Sequence, residues 1–593
     1  MQLVIAEKPS VAFSIAKALG VKGKKDGYIE GGNLIITWCV GHLVTLAEPS
    51  AYDEKFAKWA YEDLPIIPEH FKYKIYGEKN KQFKVIKSLI NRTDVAEVVN
   101  ACDAGREGEL IFRLVYNTAD CKKPIKRLWI SSMEESAVRE GFANLKDGSN
   151  YDNLYYSALC RLWADWIVGI NATRLFSLLY KKTLNIGRVQ TPTLALLTDR
   201  HNKITYFRKE KYYTVSIDTG GTKAISERID NEITANELKA ACEHSQAVCV
   251  SVKKEQKTEQ PPKLFDLTTL QRQANKVFGY TAKQTLDYAQ ALYEKKLLTY
   301  PRTDSRYLTE DMAETITAVL HLSAKVPPFD TAPDYFPEIT RLINNSKVSD
   351  HHAIIPTMEL EKSDLKTIPS GELNILKLVI CKLMCAAAEP YIYELTTAEF
   401  ECGGAIFTVK GKNIVSLGYK AIERLLFKPS ENEDGGQLPD FYKGQSFAGI
   451  QANIEEKYTS PPKPYTEDTL LSAMETAGSK ETNGDAERKG LGTPATRAAI
   501  LEKLVHIGFA ERKGKNIIPT KNGVLLVSVL PDTLISASLT AEWENQLALI
   551  AKGKTSPKAF MQGINEMITE LVRKYPCLAK EKRDIFKYND IAR

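Results

Sequence analysis

The sequence predicts a multidomain protein in which an N-terminal α/β domain is followed by helical and β-rich parts. The chain has 593 residues, too many for one hydrophobic core, so about three to five domains are expected. Strand-like apolar runs alternate with helix-like segments up to about residue 150, which is typical of a largely parallel sheet. Beyond it the pattern runs helix, β, helix, β, helix, which indicates that the chain leaves a helical and a β-rich domain and later returns to each.

Three short apolar strands define the predicted α/β domain. They are expected at residues 3–6, 33–40 and 95–102, and the first and third are each followed by a helix. Ligands of such sheets bind beyond the carboxyl ends of the strands. Because Glu7 and Asp103 stand at two of those ends, the sheet is expected to bring them together.

Composition and the absence of long apolar runs indicate a protein of the cytoplasm. Hydrophobic content of 43% and charged content of 26% are ordinary for a soluble globular protein, and the net charge of +6 weakly favours an anionic partner. No apolar run is as long as a membrane span, and no signal peptide is recognised, so a cytoplasmic protein without membrane contact is expected. The ten cysteines lack the paired spacing of a zinc site and are expected to be reduced thiols.

The segment LTYPRTDS at residues 298–305 carries a candidate nucleophile. A tyrosine is usually a core or interface residue, but Tyr300 lies between a predicted helix end and Pro301, which restricts the backbone. A phenol is a poor nucleophile unless neighbouring cations favour the phenolate. Arg302, always charged and forked, can clamp a phosphate.

The segment DAGREGE at residues 103–109 supplies clustered carboxylates directly after an apolar strand. Acidic residues also stabilise the first turn of a helix, but the presence of Glu7 at another strand end makes that explanation insufficient. Clustered carboxylates are typical magnesium ligands. A tyrosine nucleophile, an arginine clamp and a carboxylate-held metal together indicate phosphoryl transfer through a covalent intermediate.

These two segments resemble those of the type IA DNA topoisomerases, and most of all the bacterial topoisomerase III branch. Five further motifs match in the family's order: AEKPS at 6–10, GHL at 41–43, GRVQTP at 187–192, DHHAIIPT at 350–357 and GTPATR at 492–497. The resemblance implies an N-terminal TOPRIM domain, which is Rossmann-like, in a toroidal architecture with a central hole. It also implies an ATP-independent enzyme that cleaves single-stranded DNA through a 5′-phosphotyrosine, passes a strand and religates, and so relaxes negative supercoils and decatenates.

The resemblance also names the domains. They are a TOPRIM domain at 1–150, a discontinuous helical DNA-binding and gate-base domain at 151–205 and 465–593, a discontinuous β-rich hinge domain at 206–264 and 398–464, and a helical domain carrying the tyrosine at 265–397.

Site residues follow by resemblance, position by position. The catalytic set comprises Tyr300, Arg302, Glu7, Lys8 and His351, with His352 as the fallback for His351. The magnesium ligands are Glu7, Asp103 and Glu107, and the DNA contacts are Arg188, Gln190, Thr496 and Arg497.

One position departs from the family. Gly105 stands where the second aspartate of the family's acidic motif is usual. The sequence therefore leaves open whether the site holds one magnesium ion or two. Glu109 is a candidate substitute for the missing carboxylate.

Two other functions remain open from the sequence. A TOPRIM nuclease or primase-like enzyme would need the carboxylates but not Tyr300. An inactive DNA-binding accessory protein would be the alternative if the loss of a carboxylate at Gly105 abolished catalysis. The segments GLGTPA at 490–495 and GKT at 553–555 lack the strand or first glycine of nucleotide sites, so no ATP site is expected.

Expected partners are single-stranded DNA and a helicase or single-strand-binding protein, with the chain itself a monomer.

Overall fold

The structure is a computed structural model and describes residues 1–130, 133, 135–334, 336–348, 351–427, 436, 438–478, 490–578 and 585–586. Its strands are β1 Gln2–Ala6, β2 Gly23–Lys25, β3 Tyr28–Gly31, β4 Leu34–Trp38, β5 Val44–Leu46, β6 Tyr73–Ile75, β7 Glu97–Ala101, β8 Ile125–Arg127, β9 Lys146–Asp147, β10 Lys211–Asp218, β11 Lys223–Ser226, β12 Ala247–Glu259, β13 Tyr391–Cys402, β14 Ala405–Ser416, β15 Ser446–Phe447, β16 Ala452–Tyr458, β17 Ala510–Lys513 and β18 Asn516–Pro519.

The α-helices are α1 Pro9–Leu19, α2 Asn80–Ile90, α3 Arg106–Thr118, α4 Glu135–Ala143, α5 Asp152–Tyr180, α6 Gln190–Thr205, α7 Glu232–Glu243, α8 Leu267–Phe278, α9 Ala282–Glu294, α10 Ala313–Ser323, α11 Ser370–Ala387, α12 Tyr419–Leu426, α13 Glu467–Thr476, α14 Pro494–His506, α15 Lys521–Val529, α16 Asp532–Ile535, α17 Ala537–Ala551 and α18 Pro557–Leu578. None of them, within the described residues, is long and apolar enough to cross a membrane.

The N-terminal sheet has seven strands in the order β2-β3-β4-β1-β7-β8-β9. Its centre is parallel, as predicted, because β1 pairs in parallel with β4 and β7, and β7 with β8. The register places Ala6 beside Trp38 and Ala101. Glu7 and the segment that begins at Cys102 therefore leave the sheet at the same edge, which is where the sequence placed the site.

Two helices lead away from this edge. α1 begins with Pro9 and ends at Leu19; the following residue, Gly20, caps it with a left-handed φ of 74°, which favours glycine. α3 begins at Arg106, directly after Gly105. Both predicted helices are thus present, and each places polar residues of its first turn beside the strand ends.

A seven-stranded antiparallel sheet joins two distant parts of the chain. Its order is β15-β12-β13-β14-β11-β10-β16, so strands from residues 211–259 and 391–458 are interleaved within one sheet. This agrees with the prediction that the chain leaves a β-rich domain and returns to it. The second group of strands starts before the predicted residue 398, because β13 begins at Tyr391. Glu389 and Pro390 separate α11 from this strand and mark the earlier boundary in the sequence.

The two helical segments that are separated in the chain also pack into one domain. One core cluster combines residues 160–197 with residues 470–586, so the described helices on either side of the β-rich segments pack together. Two elements were not predicted. Helix α7 lies in a segment predicted to be β-rich, and the small β17–β18 sheet lies in a segment predicted to be helical.

Helices α8–α11 form a further core. The segment that carries Tyr300 extends from this core towards the N-terminal sheet. Tyr293 at the end of α9 and Tyr300 after it pack into the apolar cluster of the N-terminal sheet. The fold therefore closes the tyrosine-bearing helical domain against the carboxyl edge of that sheet.

Candidate active site

A cleft of about 880 Å³ lies where these parts meet. Its walls come from the sheet edge, the segment after α9, the segment around His351 and the N-terminus of α14. Of the predicted site residues, Glu7, Lys8, Asp103, Glu107, Tyr300, Arg302, His351, Thr496 and Arg497 line the cleft.

Tyr300 reaches across the domain boundary. Its hydroxyl donates a hydrogen bond of 2.7 Å to Oδ2 of Asp103, and the residue is only 7% exposed. The ring lies 4.4 Å from that of His351 and 5.4 Å, edge-on, from that of Tyr293. The candidate nucleophile and the candidate metal-binding carboxylate are thus in direct contact.

The protonation of Tyr300 differs from the expectation that nearby cations favour the phenolate. Burial first, and then the charges of Asp103 and Glu7, raise its pKa well above the usual value, and Arg302 opposes this only in part. In this closed state the phenol keeps its proton and gives a hydrogen bond to the carboxylate.

Glu7 is a buried carboxyl that lies beside Asp103. Glu7 is 4% exposed, and burial, followed by the charge of Asp103, raises its pKa to about 8 despite Arg302 and Lys8. Two adjacent carboxylates resist ionising together, and a divalent cation between them would relieve that repulsion. The donor set therefore fits a hard cation such as Mg²⁺.

Glu107 lies on the same cleft but is engaged elsewhere. Its carboxylate lies 2.5 Å from Nε2 of His42, and its side chain is 60% exposed. Partial desolvation raises the pKa of Glu107, but the His42 hydrogen bond and charge and then Arg161 outweigh it, so the pKa is lowered. Among the described residues, no group of three or more His, Cys, Asp or Glu is arranged to hold a metal. The third predicted ligand is thus not yet assembled with the other two.

Arg302 and His351 present unused hydrogen-bonding atoms to the cleft. Nε of Arg302 is buried and makes no hydrogen bond within the described part of the chain. Both ring nitrogens of His351 are likewise buried and, among those residues, without hydrogen bonds. Burial lowers the pKa of His351 to about 4, which the charge of Asp103 does not prevent. An anionic ligand could accept hydrogen bonds from Nε of Arg302 and from the one ring N–H of neutral His351.

His352 and Lys8 occupy different positions. His352 turns away and places Nδ1 2.8 Å from the carbonyl oxygen of Ala353, so it does not replace His351 in the cleft. Lys8 lies 3.7 Å from Glu294 at the end of α9, a partly exposed pair. The ammonium can therefore turn towards a phosphate at little cost. Asp350, part of the same motif as the two histidines, lies outside the described residues.

Arg127 is a supporting residue that sequence reasoning missed. Its guanidinium, 1% exposed, donates to the carbonyls of Asn100, Cys102, Asp103 and Leu128 at 2.7–3.1 Å. It thereby fixes the backbone that carries Asp103. A lone arginine in a three-residue strand gives no local signal of this role.

Glu109 is the counter-ion of Arg127, and the suggestion that it replaces the carboxylate missing at Gly105 is wrong. Its Oε1 lies 2.7 Å from Nε of Arg127 and accepts from the Asn100 amide at 2.9 Å. The residue is 1% exposed and does not line the cleft. Its position one helical turn after Gly105 turns the side chain towards the sheet interior.

Replacing Glu109 tests that assignment. Glu109→Gln leaves the buried Arg127 without a counter-ion, which costs about 3 kcal/mol or more, so we expect a lower thermal midpoint and faster amide exchange in β7 and β8. Glu62→Gln, at an exposed carboxylate, is the matched control. Unchanged stability together with a higher magnesium requirement would show instead that Glu109 is a metal ligand.

Arg188 and Gln190 lie behind the cleft wall. Arg188 is 6% exposed; it bonds Asp165 at 2.8 Å and Glu544 at 3.2 Å. Gln190, 5% exposed, donates to the carbonyl of Asn185 at 3.2 Å. Neither lines the cleft, so a direct DNA contact by either stays a prediction that requires rearrangement.

Glu544 forms ion pairs with three arginines beside the cleft. Arg106, Arg161 and Arg188 lie 3.5, 3.8 and 3.2 Å from its carboxylate. Burial alone would raise its pKa, but these cations lower it to about 2. Arg106 and Arg161 also line the cleft, where they add positive charge that the motifs had not identified.

Thr496 and Arg497 belong to the start of α14. Thr496 and Thr493 form a reciprocal capping box, with the Thr496 hydroxyl accepting from the Thr493 amide at 3.0 Å. Arg497 is 3% exposed and donates to the Leu491 carbonyl at 3.1 Å and the Thr268 hydroxyl at 2.7 Å. Both line the cleft while holding α14 in place, so their proposed DNA contact would add to a structural role.

The cleft is not net basic. Its lining carries six Lys or Arg side chains and seven Asp or Glu side chains. Phosphate binding therefore cannot rest on excess protein charge alone, and a bound divalent cation would reverse the balance.

Comparisons with known proteins agree with this geometry. A family model described as DNA topoisomerase matches residues 149–562, and one described as Toprim domain matches residues 2–133. DNA topoisomerase 3 of Bacillus licheniformis is 40% identical, with 99% of this chain and 83% of that protein covered. The proteins of the same name from Bacillus subtilis and Staphylococcus haemolyticus are also 40% identical, with 99% and 97% of this chain and 83% of each relative covered.

A solved structure shows the same fold. Full-length topoisomerase I from Thermotoga maritima superposes with a TM-score of 0.74 at 23% identity, covering 96% of this chain and 90% of that one. The predicted fold class and the resemblance to type IA topoisomerases are thereby confirmed, and the N-terminal domain is of the metal-binding TOPRIM type. From the matched family model and the identity to these relatives, the chain belongs to the DNA topoisomerase family and has the type IA fold.

Proposed function

We propose that this topoisomerase cleaves single-stranded DNA with Tyr300, holds the 5′ end as a phosphotyrosine, passes a strand and reseals the break without ATP. The observation that carries the assignment is the 2.7 Å hydrogen bond from the Tyr300 hydroxyl to Asp103 across two domains. A tyrosine hydroxyl next to carboxylates that can take its proton supports phosphoryl transfer through a covalent intermediate.

The groups around Tyr300 suit each step of the attack. Asp103 can take the phenolic proton as the oxygen attacks phosphorus, and the bond from phosphorus to the 3′ oxygen then breaks. Lys8 can give a proton to that leaving oxygen, while Arg302 and neutral His351 donate hydrogen bonds to the phosphate oxygens. The reverse steps reseal the strand. Because one phosphodiester is exchanged for another, no nucleotide is needed.

We further propose Mg²⁺ as the metal, with Glu7 and Asp103 as its first ligands. Glu107 would complete the set after leaving His42, with which it is paired in this closed state. When bound, the ion neutralises the carboxylates and stabilises charge on the phosphate. With Gly105 in place of a carboxylate, a single ion that keeps several waters is the arrangement that this donor set supports.

The remaining assignments extend this proposal. The four domains named in the sequence would act as a TOPRIM domain, a DNA-binding base, a β-rich hinge and a tyrosine-bearing gate. The packing of Tyr293 and Tyr300 into the TOPRIM core is the contact that must open. We propose a cytoplasmic monomer that works with a helicase or a single-strand-binding protein.

A plasmid assay tests the function. The chain should relax negatively supercoiled plasmid with magnesium and no nucleotide, and denaturation during turnover should trap protein on the 5′ end. Linear or degraded products would support the nuclease alternative instead. Binding without any change of topology would support the inactive accessory protein.

Gly105→Asp tests how the site handles its metal. The added carboxylate should lower the magnesium concentration for half-maximal relaxation several-fold, because each anionic ligand strengthens a hard-cation site. Gly105→Ala is the matched control, since the backbone at φ 158° and ψ 174° affects both variants alike. An Asp variant that needs as much magnesium as the Ala variant would show that residue 105 is not a ligand position.

A further inference from the structure

We propose that a surface of the TOPRIM domain beside the cleft, formed by Phe13, Trp38 and Val40 with Lys24, is a stacking platform for the single-stranded DNA that leaves the cleft at this edge. We call this surface the aromatic platform. The inference rests on the proposed function, because it requires single-stranded DNA in the cleft.

The platform borders the catalytic residues without being part of the cleft lining. Trp38 ends β4 and pairs in register with Ala6, the residue before Glu7. Neighbouring strands lie about 4.8 Å apart, so the platform starts roughly one strand away from Glu7. Val40 immediately precedes Gly41, which lines the cleft. A strand that emerges beside Glu7 on this side therefore meets the platform first.

Core packing does not account for the aromatic side chain at position 13. α1 buries Val11, Ala12 and Ile15, whereas Phe13 is 40% exposed and Val40 is 39% exposed. The rings of Phe13 and Trp38 lie 5.4 Å apart at 38°. The exposed Phe13 ring, backed by the partly buried Trp38, forms an apolar step beside the cleft.

The Trp38 backbone beneath this step is held firmly. The Gln82 amide donates to the carbonyl oxygen of Trp38 at 2.8 Å and also contacts the Thr37 hydroxyl at 3.2 Å. The Trp38 side chain also packs against the apolar cluster of the N-terminal sheet, so its ring loses little conformational entropy when a base stacks on it.

The charge around the step favours a nucleic acid over an apolar protein segment. Nζ of Lys24 lies 5.4 Å from the Phe13 ring centroid, and Lys22 and Lys25 are exposed in the same β2–β3 region. Aromatic faces beside cations bind single strands, since bases stack on the rings and phosphates pair with the cations. The platform can take one or two bases.

A length series of thymidine oligonucleotides tests the platform, using full-length protein that carries Tyr300→Phe to prevent cleavage. Oligonucleotides long enough to reach the platform should bind Phe13→Ala roughly five- to a hundredfold more weakly, which corresponds to one lost base stack. Short ones confined to the cleft should bind equally well. A single abasic nucleotide moved along the long oligonucleotide should locate the stacked base and show on which side of the scissile phosphate it lies.

Three control variants separate base stacking on the platform from a general loss of DNA binding. Tyr442→Ala removes an aromatic ring that is 65% exposed and distant in sequence from the cleft motifs, and it should change nothing. Trp38→Phe should keep most of the affinity that Trp38→Ala loses. Lys24→Gln should reduce the salt dependence by about 0.7 in the logarithmic slope.

The platform would be overturned if, at every oligonucleotide length, Phe13→Ala and Trp38→Ala bound as tightly as the wild type. The exposed Phe13 ring would then indicate a protein-docking surface. Covalent capture by the protein with Tyr300 intact is measured first. Failure of that capture overturns the proposed function, whereas capture with unchanged length dependence overturns the platform alone.

Discussion

Tyr300→Phe is expected to abolish covalent capture and relaxation while leaving the affinity for single-stranded DNA within about twofold. The substitution removes one oxygen, which in this structure makes the 2.7 Å hydrogen bond to Asp103, and leaves every cation of the cleft in place. Without that oxygen there is no nucleophile for the phosphodiester, so the loss should exceed several orders of magnitude. Gel detection of protein-linked DNA and a plasmid assay measure it.

Tyr293→Phe is the matched control for this experiment. Tyr293 packs edge-on against Tyr300 and is equally buried in the TOPRIM cluster, but the proposed chemistry does not use its hydroxyl. The control variant should therefore keep covalent capture. Relaxation by Tyr300→Phe at a rate near that of the wild type would mean that the nucleophile is another residue.

The sequence located the reacting groups because their neighbours in the chain carry the signal. Strand ends placed Glu7 and Asp103 at one edge, and the structure confirms that proximity. The proton on Tyr300 could not be foreseen in the same way. Arg302 is two residues away in the chain, but burial between two domains and two carboxylates outweigh its charge.

Long-range contacts account for the remaining differences between expectation and structure. Arg188 was assigned to the DNA surface from its motif, but its partner Glu544 is separated from it by more than half of the chain and holds it inside the wall. Glu109 was considered a metal ligand because only its sequence distance from Asp103 was visible. Its pairing with Arg127 depends on β8 lying beside β7, which periodicity cannot show.

Glu7→Gln is expected to stop cleavage and, in the absence of metal, to stabilise the folded protein at alkaline pH. Burial and Asp103 raise the pKa of Glu7 to about 8 from an ordinary value of 4.5. The folded state therefore holds a proton that the unfolded state releases between these values. The favourable contribution is complete below pH 4.5 and is lost progressively as pH rises to about 8. Glutamine cannot ionise, so the variant escapes this loss.

Metal binding should show the opposite pH dependence. Magnesium needs the Glu7 carboxylate, so its apparent affinity for the wild type should rise up to about tenfold per pH unit towards about pH 8 and then level off. For Glu7→Gln the affinity should be weak and nearly independent of pH in this range. Isothermal titration in buffers of different ionisation enthalpy measures both the affinity and the proton released.

The two readouts together distinguish a metal ligand from a merely buried acid. A structural carboxyl at position 7 would change stability without affecting the pH dependence of magnesium binding, and an exposed one would change neither. Asp103→Asn is the matched comparison, because it removes the second carboxylate and should lower the pKa of Glu7 towards its ordinary value. If Glu7→Gln left cleavage intact, or lowered metal-free stability at about pH 8, the carboxylate pair could not be the site at which this enzyme holds its metal.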